Sequence, residues 1–121
     1  MPHDSKRTEA MLRLGVLLEA WAQADSGGLA GALTEDVVFA SPFTEPLDPD
    51  GLTRGKINVL QRLLLERERF ETVEILDVLT GEDSLTVFLR AGDTTLSCLI
   101  EIDDKARFRR LIASLSEMPQ A

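Results

Sequence analysis

The chain contains no tyrosine, and histidine and cysteine occur once each, as His3 and Cys98. A nucleophilic serine or cysteine needs a base beside it to take its proton. His3 stands too close to the chain start to serve as one, so a triad is excluded. The same shortage excludes a histidine-bound metal site, and neither a metal nor a cofactor is expected. A single cysteine cannot form an intrachain disulfide, and within an apolar strand sequence Cys98 reads as a small buried residue. No apolar run approaches the roughly 20 residues of a membrane span, and "MPHDSKRTEA" has no signal-peptide core. A cytoplasmic location without a membrane partner is expected. Positive charge is also scarce: 13 Lys and Arg against 21 Asp and Glu give a net charge of −8. Such a charge repels phosphate backbones, so nucleic acid is not an expected partner. The one basic cluster, Arg107, Arg109 and Arg110, reads as solvent-facing positions on a strand.

What is present fits one domain spanning residues 1–121, with 1–7 expected to be flexible. Across 8–24, Met11, Leu14, Leu18 and Trp21 recur at spacings of three and four, with Leu17 and Ala24 beside them. That stripe predicts a long amphipathic helix. Asp25 or Ser26 can cap a short second helix through 29–33. "VVFASPF" (37–43) reads as a strand with Val37, Phe39, Ser41 and Phe43 on one face, and Pro42 makes it an edge strand or ends it. A Pro- and Gly-rich loop follows. A third helix is predicted over 56–67, with Ile57, Leu60 and Leu64 on its stripe and Leu63 alongside. Strands are predicted over 70–79, 85–90, 94–102 and 106–115, joined by turns at "TGED", "AGD" and "DDK". In the first of these the apolar parity changes between Ile75 and Leu76, which implies a bulge or burial on both faces. The order helix, helix, strand, helix, then four strands makes this an α+β fold.

This order, with "WAQADSGGLAGALTEDVVFASPF", "TRGKINVLQRLL" and "ARFRRLIASL", resembles the nuclear-transport-factor-2-like superfamily, in particular its SnoaL-like and ketosteroid-isomerase-like branch. The resemblance runs over about residues 8–115 and is anchored by Trp21, Asp25, Asp36, Pro42 and Gly55. It implies a cone, in which a curved mixed sheet wraps the N-terminal and central helices around an apolar cavity. It also implies a protein that acts on or binds a small apolar molecule, or a dimeric partner that does neither. In the steroid isomerases of this family a carboxylate just before the strand-one proline moves the proton. Ser41 occupies that position, and a hydroxyl without a histidine cannot serve as an efficient base. Leu18 falls where those enzymes place a tyrosine. Steroid isomerisation is therefore not expected.

The candidate site residues follow from this. Ser41 and Glu101 are the catalytic candidates, and Leu18, Trp21, Phe39, Ser41, Phe43, Leu60, Leu64, Phe88 and Glu101 are the candidates for lining a pocket. Ser41 either donates a hydrogen bond into the pocket or bonds the backbone of its own loop. Glu101 lies between Ile100 and Ile102, and facing the cavity it would have a raised pKa suited to acid–base work. A register shift of one residue places it in solvent or at an interface instead, and the more apolar parity is that of Cys98. Glu45, Asp48 and Asp50 crowd the proline-rich loop without the full spacing of a calcium loop; Glu45 and Arg54 could meet a ligand's polar end at the cone's mouth. Because Leu96, Cys98, Ile100 and Ile102 compete for burial with Leu99, Leu111 and Leu115, both sheet faces require cover. A homodimer through the sheet face is expected.

Overall fold

The computed structural model describes residues 2–43, 51–70 and 72–115. Helix α1 spans Pro2–Ala22, α2 Ser26–Ala32 and α3 Lys56–Arg69. The strands are β1 Leu33–Ala40, β2 Thr53–Arg54, β3 Val73–Thr80, β4 Ser84–Ala91, β5 Thr94–Ile102 and β6 Phe108–Leu115. They form one six-stranded mixed sheet in the order β2-β1-β6-β5-β4-β3, with β1 and β6 parallel and the other neighbours antiparallel. The α+β architecture expected from the sequence is present, with one added strand.

Helix α1 begins at Pro2, ahead of the expected residue 8, because proline's fixed φ and missing N–H suit a first helical turn. It ends in a Schellman arrangement: the amide of Asp25 donates to Ala20 O (2.8 Å), that of Ala24 to Trp21 O (3.1 Å), and Ala24 lies at φ 55°. Asp25 then caps α2, its side chain accepting from Gly28 N at 3.2 Å. Gly28 itself packs tightly against α1, since a Cβ there would lie 2.8 Å from the Cβ of Ala20.

Strand β1 stops at Ala40, two residues before Pro42, and is covered on both sides by β2 and β6. The proline therefore ends the strand and does not mark an edge. Strand β2 pairs through only two residues, Thr53 opposite Phe39 and Arg54 opposite Val38, too few to leave a periodic signal in the sequence. The parity change in β3 is a bulge between Ile75 and Asp77. Gly92, at φ 60°, turns the two-residue connection between β4 and β5.

The core lies between the inner sheet face and the three helices. Phe108, Leu29, Leu33, Leu85, Val37, Val59 and Val87 are its largest fully buried side chains. The inward stripe of α3 runs through Val59, Leu63 and Glu66 to Phe70, not through Ile57, which is 73% exposed. At 100° per residue this rotates the expected stripe toward Val59, and Leu60 and Leu64 pack half-buried at its flank. On the outer sheet face, cross-strand neighbours Leu79, Thr86, Leu99, Ile112 and Ala40 form one row running from β3 to β1. Leu111 faces inward, opposite to its expected parity, and Leu115 shares that inner parity opposite Leu96 but is exposed at the end of β6, whereas Leu99 is exposed on the outer face.

Candidate functional site

A cavity of about 90 Å³ lies between α1, α3 and the inner sheet face. Helix α1 contributes Leu14, Leu17, Leu18 and Trp21 to its wall; α3 and the residue after it contribute Leu63, Glu66 and Phe70. Alternate residues of the sheet complete it: Phe39 from β1, Val87 and Leu89 from β4, Leu96, Cys98 and Ile100 from β5, Leu111 and Ala113 from β6. The period-two placement on β4 and β5 follows from strand geometry, which sends successive side chains to opposite faces.

Glu66 is the only charged residue in this described wall, and it is 8% exposed. The hydroxyl of Ser41, just beyond the end of β1, donates to Glu66 Oε1, and its oxygen accepts from Phe43 N at 3.2 Å. Of the two roles left open for Ser41, the bond to its own loop is present, while its hydroxyl proton goes to Glu66 and not into the cavity. The serine thus holds the carboxylate at the cavity wall.

The same segment is fastened to the end of α3 at two further points. Arg69 Nη1 donates to Phe43 O at 2.7 Å while its guanidinium lies 5.5 Å over the Phe43 ring. Phe43 meets Phe70 edge to face at 5.1 Å, and Phe70 lines the cavity. Across the cavity, Trp21 Nε1 donates to Leu63 O at 2.6 Å, which fixes the indole against α3. Trp21 is half-buried because part of its surface borders the cavity. Burial, with a smaller contribution from the negative charge of Glu66, pushes the Cys98 thiol up to about 12.

Of the residues expected to line a pocket, Leu18, Trp21 and Phe39 do so. Ser41 and Phe43 stand behind the wall, one bonded to Glu66 and the other meeting Phe70 edge to face. Leu60 and Leu64 support the core from the flank of α3. Phe88 belongs to the outer face, since Val87 and Leu89 on either side of it point inward. Glu101 is likewise outside the cavity, because Cys98 and Ile100 hold the inward parity of β5. Its side chain is 38% exposed and lies 3.9 Å from Arg109 Nε.

Arg54 is exposed on β2; Glu45, Asp48 and Asp50 lie outside the described residues. Among the described residues no group of three His, Cys, Asp or Glu side chains is placed to hold a metal ion. None of the described helices is long and apolar enough to cross a membrane.

Glu66 is the site residue that sequence reasoning missed. Its signal was the spacing 59, 63, 66, 70, a four-three-four helical repeat in which the third member is an acid.

No family model and no curated protein sequence matches the chain. Solved structures do. A SnoaL-like protein of unknown function from Burkholderia thailandensis superposes with a TM-score of 0.75 at 18% identity, over 88% of this chain and 93% of that one. A steroid delta-isomerase from Pseudomonas aeruginosa gives 0.69 at 23%, covering 90% and 80% respectively. An LEH-like epoxide hydrolase from M. tuberculosis gives 0.68 at 19%, covering 90% and 79%.

Proposed function

Starting from a chain that has the nuclear-transport-factor-2-like fold, we propose that it binds a small, largely apolar molecule in the cavity between α1, α3 and the sheet. The observation that carries this reading is the wall itself, apolar throughout except for one buried carboxylate, Glu66. A buried charge in an apolar wall costs stability unless it is bonded. A binding role gives a reason to keep it there. The steroid isomerase and the epoxide hydrolase that share the fold show that such a frame can host chemistry, but fold alone does not transfer it. In this chain the carboxylate comes from α3, and a serine occupies the strand-one position at which the resembling isomerases hold their base.

The test is to fill the cavity from within. Ala113→Phe should place a ring in the space while leaving helices and sheet intact by circular dichroism. A small molecule found on the purified wild-type chain by native mass spectrometry should be missing from the variant. If the variant carries the same molecule in the same amount, the cavity is not where it binds.

We propose further that the outer sheet face pairs two copies of the chain. This rests on the apolar row Leu79, Leu99 and Ile112, in which Leu79 is 55% and Leu99 43% exposed. Closed two-fold pairing is the commonest way to cover such a face. Leu99→Lys lies outside the core and should turn a dimer seen by light scattering into a folded monomer. A wild-type monomer of 13.4 kDa at micromolar concentration refutes the pairing.

A further inference from the structure

The described surroundings of the cavity contain two strong hydrogen-bond donors, and both are already engaged. Trp21 Nε1 donates to Leu63 O at 2.6 Å, and Ser41 Oγ donates its single proton to Glu66 Oε1. The thiol of Cys98 stays protonated at neutral pH and is only a weak donor. Nε of Arg62, a buried donor without a hydrogen-bond partner, is not among the groups of the wall. Acceptor capacity is more plentiful. The carboxyl group of Glu66, an acceptor toward Ser41, carries about four lone-pair directions on its two oxygens, so it can receive a ligand's donor alongside Ser41 and its other contacts.

From this inventory we propose that the ligand is a compact apolar body carrying one hydrogen-bond-donating head, a primary amine or an alcohol, received by Glu66. The inference rests on the pocket reading above and narrows it. A ketone, ether or ester brings only acceptors and would place them against a carboxylate. A carboxylic acid in its ionised form would add a like charge. Size narrows the class again: about 90 Å³ is less than the roughly 150 Å³ of an engineered cavity that admits benzene, so the body is a short chain or a small ring.

The experiment compares three probes of nearly equal shape, each smaller than benzene: isopropylamine, 2-propanol and acetone. Binding to the full chain is followed by Trp21 fluorescence and by amide chemical shifts of Leu63 and Cys98. Hydrogen bonds to a charged group are strong enough that the amine and the alcohol should bind roughly tenfold tighter than the ketone. Glu66→Gln, nearly isosteric and able to donate as well as accept, should remove that preference. Ser41→Ala leaves the carboxylate in place and should retain it, so a folding defect in one variant is separable from the effect sought. Equal or tighter binding of acetone, or a preference that survives Glu66→Gln, overturns the donor assignment and leaves the pocket reading standing. If none of the three probes perturbs Trp21, Leu63 or Cys98, the pocket reading fails and takes this inference with it.

Discussion

Consider replacing Ser41 by alanine. The serine hydroxyl donates to a carboxylate that is 8% exposed, in a wall with no other described charge. Hydrogen bonds to charged groups contribute about 1.5–3 kcal/mol, and a buried acceptor stripped of its donor bears much of its desolvation penalty. The amide of Phe43 also loses its acceptor. A loss of about 2 kcal/mol is expected. Glu66→Leu removes the carboxyl group and leaves the Ser41 hydroxyl, a neutral group, without its acceptor, so its expected cost is about 1 kcal/mol. Combined, the two substitutions leave an apolar pair in an apolar setting, and replacing both partners can be nearly neutral. The double variant still leaves the Phe43 amide without its acceptor and should cost about 1 kcal/mol, less than Ser41→Ala alone, a coupling of about 2 kcal/mol. Urea unfolding at neutral pH reads this directly. The single tryptophan packs beside the site and reports its loss, and the slope of the transition should be unchanged across the cycle. If the two single effects add to within about 0.5 kcal/mol, the bond from Ser41 to Glu66 is not made in solution.

Three other outcomes follow from local geometry. Ala24→Gly should stabilise the chain by about 1 kcal/mol in thermal unfolding, because Ala24 is exposed, holds φ 55° at the end of α1 and gains from a residue without a Cβ; a lower melting temperature contradicts this. Asp103 is bonded by the amides of Lys105 and Arg107, both at 2.9 Å, and by the Arg107 side chain; burial raises its pKa, but these bonds outweigh it and hold the pKa below 3.8. Its ionised form therefore supports the fold above that value, so Asp103→Asn should cost about 1 kcal/mol at pH 7, and the difference should fade as pH falls through the depressed folded value; a pH-independent difference refutes the linkage. Cys98, with its thiol pushed up to about 12, should resist iodoacetamide at pH 8 in the folded protein and react once urea unfolds it; equal rates in both states would show an accessible thiolate.

The sequence was most legible where chain chemistry is local. β5 falls at residues 94–102 as expected, the Asp25 cap opens α2, and the parity change in β3 is a real bulge. Legibility fell wherever facing had to be inferred. Phe88 is an aromatic residue in an apolar strand, and composition alone cannot say that Val87 and Leu89 hold the inner face. Helix α3 misled for a related reason. Its apolar residues at 57, 60 and 64 satisfy helical spacing, yet the true stripe includes Glu66, and an acid in that stripe rotates any reading based on hydrophobicity away from it. The site was hidden because its key residue contradicts the pattern by which cores are found. A residue that breaks a local rule in this way is where function is expected to be lodged.

The parallel pairing of β1 with β6 also bears on how the chain acquires its structure. Leu33 meets Phe108 and Phe39 meets Leu111, so the sheet joins the first strand to the last across most of the sequence. Closing so long a loop loses chain entropy before any contact compensates for it, which slows folding relative to local pairing. The β3 to β6 meander, linked by short turns, can form early from neighbouring segments. During synthesis the helices and β1 emerge first, yet they have no sheet to cover them until β6 has left the ribosome. Their apolar faces, Leu14, Leu17, Leu29 and Val37 among them, stay open to solvent for that interval. Moving the chain ends so that β6 directly precedes α1 would shorten that exposure and should speed refolding.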